Sequence, residues 1–391
     1  MKRLGLLLVG VAFCSSMMMA HAQEESGQLL PTLLPLNVIP KPLRVAVVVN
    51  KPSVKVTIGG TNEIRGLEGE PLFIENKGSF HGTMKATQYG IQINQTFAQV
   101  RKLELKSNEG KIAVNGRLYT GTFIVYVDPG KGLTFVHDVS VEEYLRGVLP
   151  LEVNPRWPVE ALKAQAVVAR TFALFKAIEK KDQPYMLTDK VTSQVYGGEL
   201  YRQKATDEAV RLTQGEVLTY QNQIIPAYFH ANCGGRTEKA DEVWPVVPNP
   251  VLQGVVCLYC KGLKHSSWSL SLPLKDIEKV MQKRGYPAKN LSGLLFEDFD
   301  LSGRSRKVRL KYPYGEAVIK ADDFRSFIGN DRLKSLKVQV TVKEGVAHFK
   351  GKGWGHGIGF CQWGAKGQAA QGRNYREILL FYFPGSEIMR L

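Results

Sequence analysis

An α+β fold, β-rich towards the N-terminus, helical at its centre and mixed towards the C-terminus, is predicted by three features of this 391-residue sequence. Short alternating segments separated by turn residues fill the stretch from Leu43 to Val139. One long helical pattern follows between Pro158 and Lys180. Neither strand-helix-strand alternation nor an internal repeat occurs, which argues against a parallel α/β fold or a solenoid.

The N-terminus carries Lys2 and Arg3, an apolar run from Leu4 to Phe13, and Ala20-His21-Ala22 ahead of Gln23. These are the charged, hydrophobic and cleavage regions of a secretory signal, so residues 1–22 are expected to be removed on export to the periplasm or another extracytoplasmic envelope space. The run is too short to span a bilayer. Cys14 makes a poor lipidation site because the bulky Phe13 precedes it. Residues 23–42, rich in Pro and Leu without periodicity, are read as a linker to a single region, 43–391.

Within that region, LRVAVVV, SVKVTI, PLFIEN, YGIQINQ, KIAVNG, RLYTGTFIVYVD and GLTFVHDV are expected strands. Helices are expected at Val141–Leu149 and Pro158–Lys180. In the second, Val159, Leu162, Ala166, Ala169 and Ala173 recur at the spacing of one buried face. A third helix is expected at Ala205–Thr213, followed by the strand pair EVLTYQ and QIIPAYFHA. Beyond Ser267, strands SWSLSL, RKVRLKY and SLKVQVTV mix with helices at Pro273–Arg284 and Ala365–Gln371.

The formal charge is +16, and losing Lys2 and Arg3 with the signal leaves +14. So basic a surface attracts polyanions. For an exported chain these are the wall or membrane surface, since neither a DNA-reading zinc finger nor an RNA-recognition sequence is present, which excludes nucleic acid. No later segment has the length and apolarity of a membrane span, so none is expected in the mature chain.

The most informative stretch is Val141–Ile178, where Glu152 lies in a proline-punctuated turn directly before a helix bearing Lys163 and Arg170. Those two cations stand seven apart and are expected on one side of the helix, suited to an oxygen-rich ligand. Glu142, Glu143 and Glu160 lie at helix starts, where carboxylates complement the helix dipole. Glu152 has no such role. Leu149, Leu151, Val153 and Trp157 supply apolar neighbours that favour a protonated carboxyl, the form that donates a proton to a departing oxygen.

Glycines 353, 355, 357 and 359 alternate, which is not a dinucleotide fingerprint, and there is no Walker A pair. Trp354 and Trp363 are suited to stacking on sugar rings or to a core. Of five cysteines, four survive signal removal. His230-x2-Cys233 and Cys257-x2-Cys260 offer the ligand types of a closed tetrahedral zinc site, although disulfides are equally natural in an exported chain. Cys361 is left over. The absence of H-E-x-x-H argues against a metallohydrolase, and no thioredoxin-like context surrounds Cys257 and Cys260.

Val141–Ile178 closely resembles the central motif of the stage II D sporulation (SpoIID/LytB) family. Gly351–Ile388, with its W-G-H-G segment, alanine-rich helix and F-P-G-x-E-I tail, is similar to the family's C-terminal motif, so the resemblance runs from about Leu43 to the C-terminus. It implies a lytic transglycosylase, a carbon-oxygen lyase that cuts peptidoglycan glycan strands, preferring those stripped of stem peptides. Glu152 would be its acid and base, and Lys163, Arg170, Gln194, Tyr196, His356 and Gln362 would bind substrate. The alternative it implies is a non-catalytic enhancer of a cell-wall amidase. Cysteine-bearing members carry zinc near the segment matching His230 and others lack the cysteines, so no cofactor is expected to be required for catalysis and structural zinc is expected here.

Overall fold

The computed structural model describes residues 33–391 apart from 70, 129, 191–192 and 287–288. The signal, residues 1–22, and the first part of the linker lie outside the described residues. The chain forms two compact units: Leu33–Pro226 with Ile388–Leu391, and Ala227–Glu387. Both mix strands and helices, so the fold is α+β.

In the first unit a seven-stranded sheet runs in the order Leu187–Thr188, Leu43–Lys51, Gly132–Val139, Thr122–Asp128, Val100–Ser107, Asn62–Gly69, Phe73–Asn76. A six-stranded sheet is built around Ser53–Ile58 and Phe80–Ala86. RLYTGTFIVYVD divides into two strands at Gly121, whose φ of 112° suits glycine. The inward residues, among them Val45, Ile64, Leu105, Val125 and Phe135, form a core that continues into Tyr144, Val148, Ala169 and Phe175 of the helices. Leu34–Pro35, from the end of the stretch read as a linker, pairs with Gln223–Ile224, and Leu34, Leu36 and Val38 pack against this core.

Among the described residues the α-helices of this unit are α1 (Val141–Glu152), α2 (Val159–Glu179) and α3 (Lys204–Leu212). Ser140 caps α1 by accepting the Glu143 N–H at 3.2 Å. Pro150 does not end α1, contrary to the expected stop at Leu149. A proline removes only its own donor, and Val153 N–H still reaches Leu149 O at 3.0 Å. Helix α2 is buried on every side rather than along one face: every residue from Ala164 to Ile178 is buried, while Val159, expected inside, is exposed.

The second unit holds α4 (Leu274–Gln282), α5 (Ala321–Ile328), α6 (Gln362–Ala370) and α7 (Tyr375–Tyr382). Its two three-stranded sheets, centred on Val346–Gly351 and Ser305–Tyr312, enclose a core of Trp268, Leu272, Ile277, Val308, Phe324 and Phe349. The expected strand QIIPAYFHA is broken at Pro226. Its end, Phe229–His230, pairs in parallel with Phe360–Cys361 in the register Phe229 to Phe360 and His230 to Cys361.

Candidate active site and cysteine centre

Glu152 is the last residue of α1, not part of a turn, and is 9% exposed. The loop Ser193–Gly198 straps across the two central helices. Gly197 N–H donates to Gly147 O of α1 at 3.1 Å, and the Gln194 amide donates to Ala169 O of α2 at 3.3 Å. Between these anchors Val195 N–H donates to Glu152 Oε1 at 3.2 Å. Burial pushes the Glu152 carboxyl up to about 7, and the Val195 bond only partly offsets it. Val153, Leu162 and the partly buried Trp157 form a small apolar cluster next to the acid in sequence.

Tyr144 lies two helical turns before Glu152 on the same face of α1. Burial first, and then the carboxylate of Glu152, holds its phenol well above the usual range. Its hydroxyl has no hydrogen-bond partner among the described residues. The sequence reading missed it, although the spacing of Tyr144, Val148 and Glu152 at intervals of four carried the signal.

The other residues expected to bind substrate have varied settings. Arg170 corrects its expectation: it is wholly buried, forks onto both Glu142 oxygens at 2.9 and 2.7 Å, and donates to Glu216 O at 3.1 Å and Val210 O at 3.3 Å. A guanidinium so engaged organises the core rather than gripping a ligand. Seven-residue spacing implied an open side only on the assumption that α2 has one. Lys163 is largely buried and pairs with Glu160 at 2.9 Å.

Tyr196 also lies in the core, against Tyr144 and Tyr119, with room made by Gly147, where a Cβ would come 2.5 Å from the Tyr196 ring. Burial pushes His137 down to about 4, so it is neutral. Its Nε2–H donates to Thr120 O, which leaves Nδ1 to accept the Tyr196 hydroxyl at 3.1 Å. Gln194 is buried, and its Oε1 has no partner among the described residues.

In the second unit His356 is fixed by two backbone groups. Its Nε2–H donates to Phe229 O at 2.9 Å, and its Nδ1 accepts Ile358 N–H at 3.0 Å. Burial, then His230, holds it neutral, well below the usual histidine range. It therefore locks the glycine-rich turn, where Gly355, at φ 109°, lies against His230: a Cβ there would stand 2.8 Å from the His230 Cβ. Gln362 is buried at the start of α6. Trp354 meets His265 edge-on with ring centroids 4.5 Å apart, and the Trp363 ring lies under the Lys366 ammonium at 4.6 Å.

The cysteines regroup. Cys233, Cys257, Cys260 and Cys361 are buried free thiols whose sulfurs all lie within 4.8 Å of one another. His230, expected among them, is outside this group; its Nδ1–H donates to Ile358 O at 3.1 Å, and burial pushes it down to about 3. Cys361, expected to be left over, takes the fourth position. The parallel pairing of Phe229–His230 with Phe360–Cys361 carries it there.

The chain belongs to the stage II sporulation protein D family. Residues 129–220 match the family model described as Stage II sporulation protein. An uncharacterized protein of Brachyspira hyodysenteriae is 32% identical over 303 residues, covering 77% of this chain and 80% of that one. The stage II sporulation protein D of Bacillus subtilis is 28% identical over 274 residues, 65% of this chain and 75% of its own. The amidase enhancer of Bacillus subtilis is 27% identical over 384 residues, 85% of this chain, which spans 53% of that longer protein. Among the described residues no helix is long and apolar enough to cross a membrane.

Proposed function

We propose that the protein is an exported, cell-wall lytic transglycosylase that cleaves peptidoglycan glycan strands, with Glu152 as both acid and base. The observation that carries this reading is the buried Glu152 carboxyl, raised to about 7 and therefore substantially protonated at neutral pH. A glycosidic oxygen is a poor leaving group until protonated, and such a carboxyl supplies the proton. A hydrolysing glycosidase ordinarily uses a second carboxylate to activate water or form a covalent intermediate. A lyase does without one: the Glu152 carboxylate left after protonation removes the proton of the sugar's own 6-hydroxyl, which closes on the anomeric carbon as a 1,6-anhydro muramic end. The Val195 N–H steadies that carboxylate. Gln194 Oε1 is an acceptor suited to an acetamido N–H, and Lys163 is a cation suited to sugar oxygens.

Digestion of purified, peptide-free glycan strands tests the reading. Wild type is expected to release anhydro-ended fragments, and Glu152→Gln to lose about 10²–10⁴-fold or more of that activity while staying folded. Equal cleavage by both would remove Glu152 from the reaction. The similarity to an amidase enhancer over 85% of this chain favours a second reading, a non-catalytic enhancer of a cell-wall amidase. Absence of cleavage by wild type, with stimulation of an added amidase, would select it.

A further inference from the structure

We propose that Cys233, Cys257, Cys260 and Cys361 are the complete ligand set of one structural zinc ion, with His230 outside it. Four sulfurs at a zinc–sulfur distance of about 2.3 Å form a tetrahedron with edges of about 3.8 Å. The four sulfurs here lie within 4.8 Å of one another, and Cys233 and Cys260 stand 3.4 Å apart. The group is therefore close to the size of a tetrahedral thiolate cage. All four are free thiols, buried, and contributed by three separate segments of the unit.

Two of the four sulfurs have hydrogen-bond donors within reach. Cys361 caps α6, its Sγ accepting Gly364 N–H and Cys233 N–H, each at 3.3 Å. That sulfur thus stands at the positive end of a helix and receives two backbone donors. The Tyr382 hydroxyl lies 3.2 Å from Cys257 Sγ and can donate to it. Space is kept for this arrangement at Gly364, where a Cβ would come 2.7 Å from Cys257 Sγ and would collide with the Tyr382 hydroxyl. Four thiolates on a divalent ion carry two net negative charges. The buried Arg304, donating to Cys233 O at 2.8 Å, brings a cation beside them. With every coordination position filled by protein the ion has no place for water or substrate, so its role is structural. It would pin the end of the glycine-rich segment that carries His356 to the turn Cys257–Cys260 and to the loop after Phe229–His230.

Metal content and cobalt substitution test the assignment on the whole mature chain. Zinc is expected at about one ion per chain, and its removal by a chelator should lower Tm. The cobalt(II)-substituted protein should show the ligand-field bands of a tetrahedral site and sulfur-to-cobalt charge transfer at the strength of four thiolates. His230→Gln should leave metal content and spectrum unchanged, whereas Cys361→Ser should lower affinity and charge-transfer intensity together. Retention of a four-ligand site in Cys361→Ser with its loss in His230→Gln would give the fourth position to His230. Iron in place of zinc, or a mapped disulfide with no metal, would overturn the proposal outright. If Cys361→Ser does not fold, the wild-type cobalt spectrum and the His230→Gln protein still decide it.

Discussion

The backbone N–H of Val195 donates to Glu152 Oε1 across 3.2 Å, joining the last residue of α1 to a loop 43 positions later. The two groups pull the carboxyl in opposite directions: burial raises it, the larger effect, and the N–H lowers it, leaving it at about 7. A carboxyl so balanced can give up a proton and take one back near neutrality.

The rate should follow that balance. Proton donation to the leaving oxygen needs the protonated form in the free enzyme, so kcat/KM on glycan strands is expected to fall as pH rises through about 7. Initial rates of anhydro-end formation between pH 5 and 9 would show it. A flat profile across that range would detach Glu152 from the proton transfer.

Stability should respond in the same window. The folded-state value of Glu152 lies above its ordinary 4.5, so its contribution is fully present below 4.5 and lost as pH rises through about 7. Glu152→Gln keeps an acceptor for Val195 N–H and cannot ionise. The variant is expected to gain on wild type, on the order of 3 kcal/mol at pH 8 relative to pH 4. Urea unfolding of both proteins at the two pH values measures the difference.

Arg170 and Lys163, seven residues apart on α2, should separate cleanly. Removing the Arg170 guanidinium takes the cation from the part-buried Glu142 and leaves the Glu216 and Val210 carbonyls in the core without their donor, so Arg170→Ala is expected to cost about 3 kcal/mol or more. The Lys163 pair with Glu160 is a local one within a single turn of helix, and Lys163→Ala should change stability by only about 0.5 kcal/mol while weakening glycan cleavage. Thermal melts beside specific activity distinguish the two. A normal Arg170→Ala melt would return that residue to the ligand-binding group.

What the sequence disclosed and what it hid divide along local and long-range physics. Helix α2 was legible from its apolar spacing, and a capping box at Asn374 and Glu377 marked α7, though it went unread. The strand Val100–Ser107 was legible and went unread: Lys102, Glu104 and Lys106 alternate with the buried Leu103, Leu105 and Ser107, the period of a half-buried strand. Burial on all sides of α2 was invisible because that depends on the sheets and helices around it, and so the direction of Arg170 was misjudged. The fourth cysteine position was hidden for a related reason. The spacing of His230, Cys233, Cys257 and Cys260 is local, whereas Cys361 arrives through a parallel register set across more than a hundred residues.

His356 offers the last test, because both of its ring nitrogens hold backbone groups. Replacing it with Ala leaves Ile358 N–H and Phe229 O without the ring, and a loss of about 2 kcal/mol or more is expected at pH 7.5. The neutral ring is required, since Nδ1 must accept from Ile358. Its folded-state value lies below the ordinary 6.5, so the ring's contribution is present above 6.5 and declines as pH falls below it. The deficit of His356→Ala should therefore narrow at pH 5, as wild type loses what the variant never had. Chemical unfolding of both proteins at pH 7.5 and 5 reads this directly. A deficit that grows at pH 5 would mean that the folded protein holds this histidine charged.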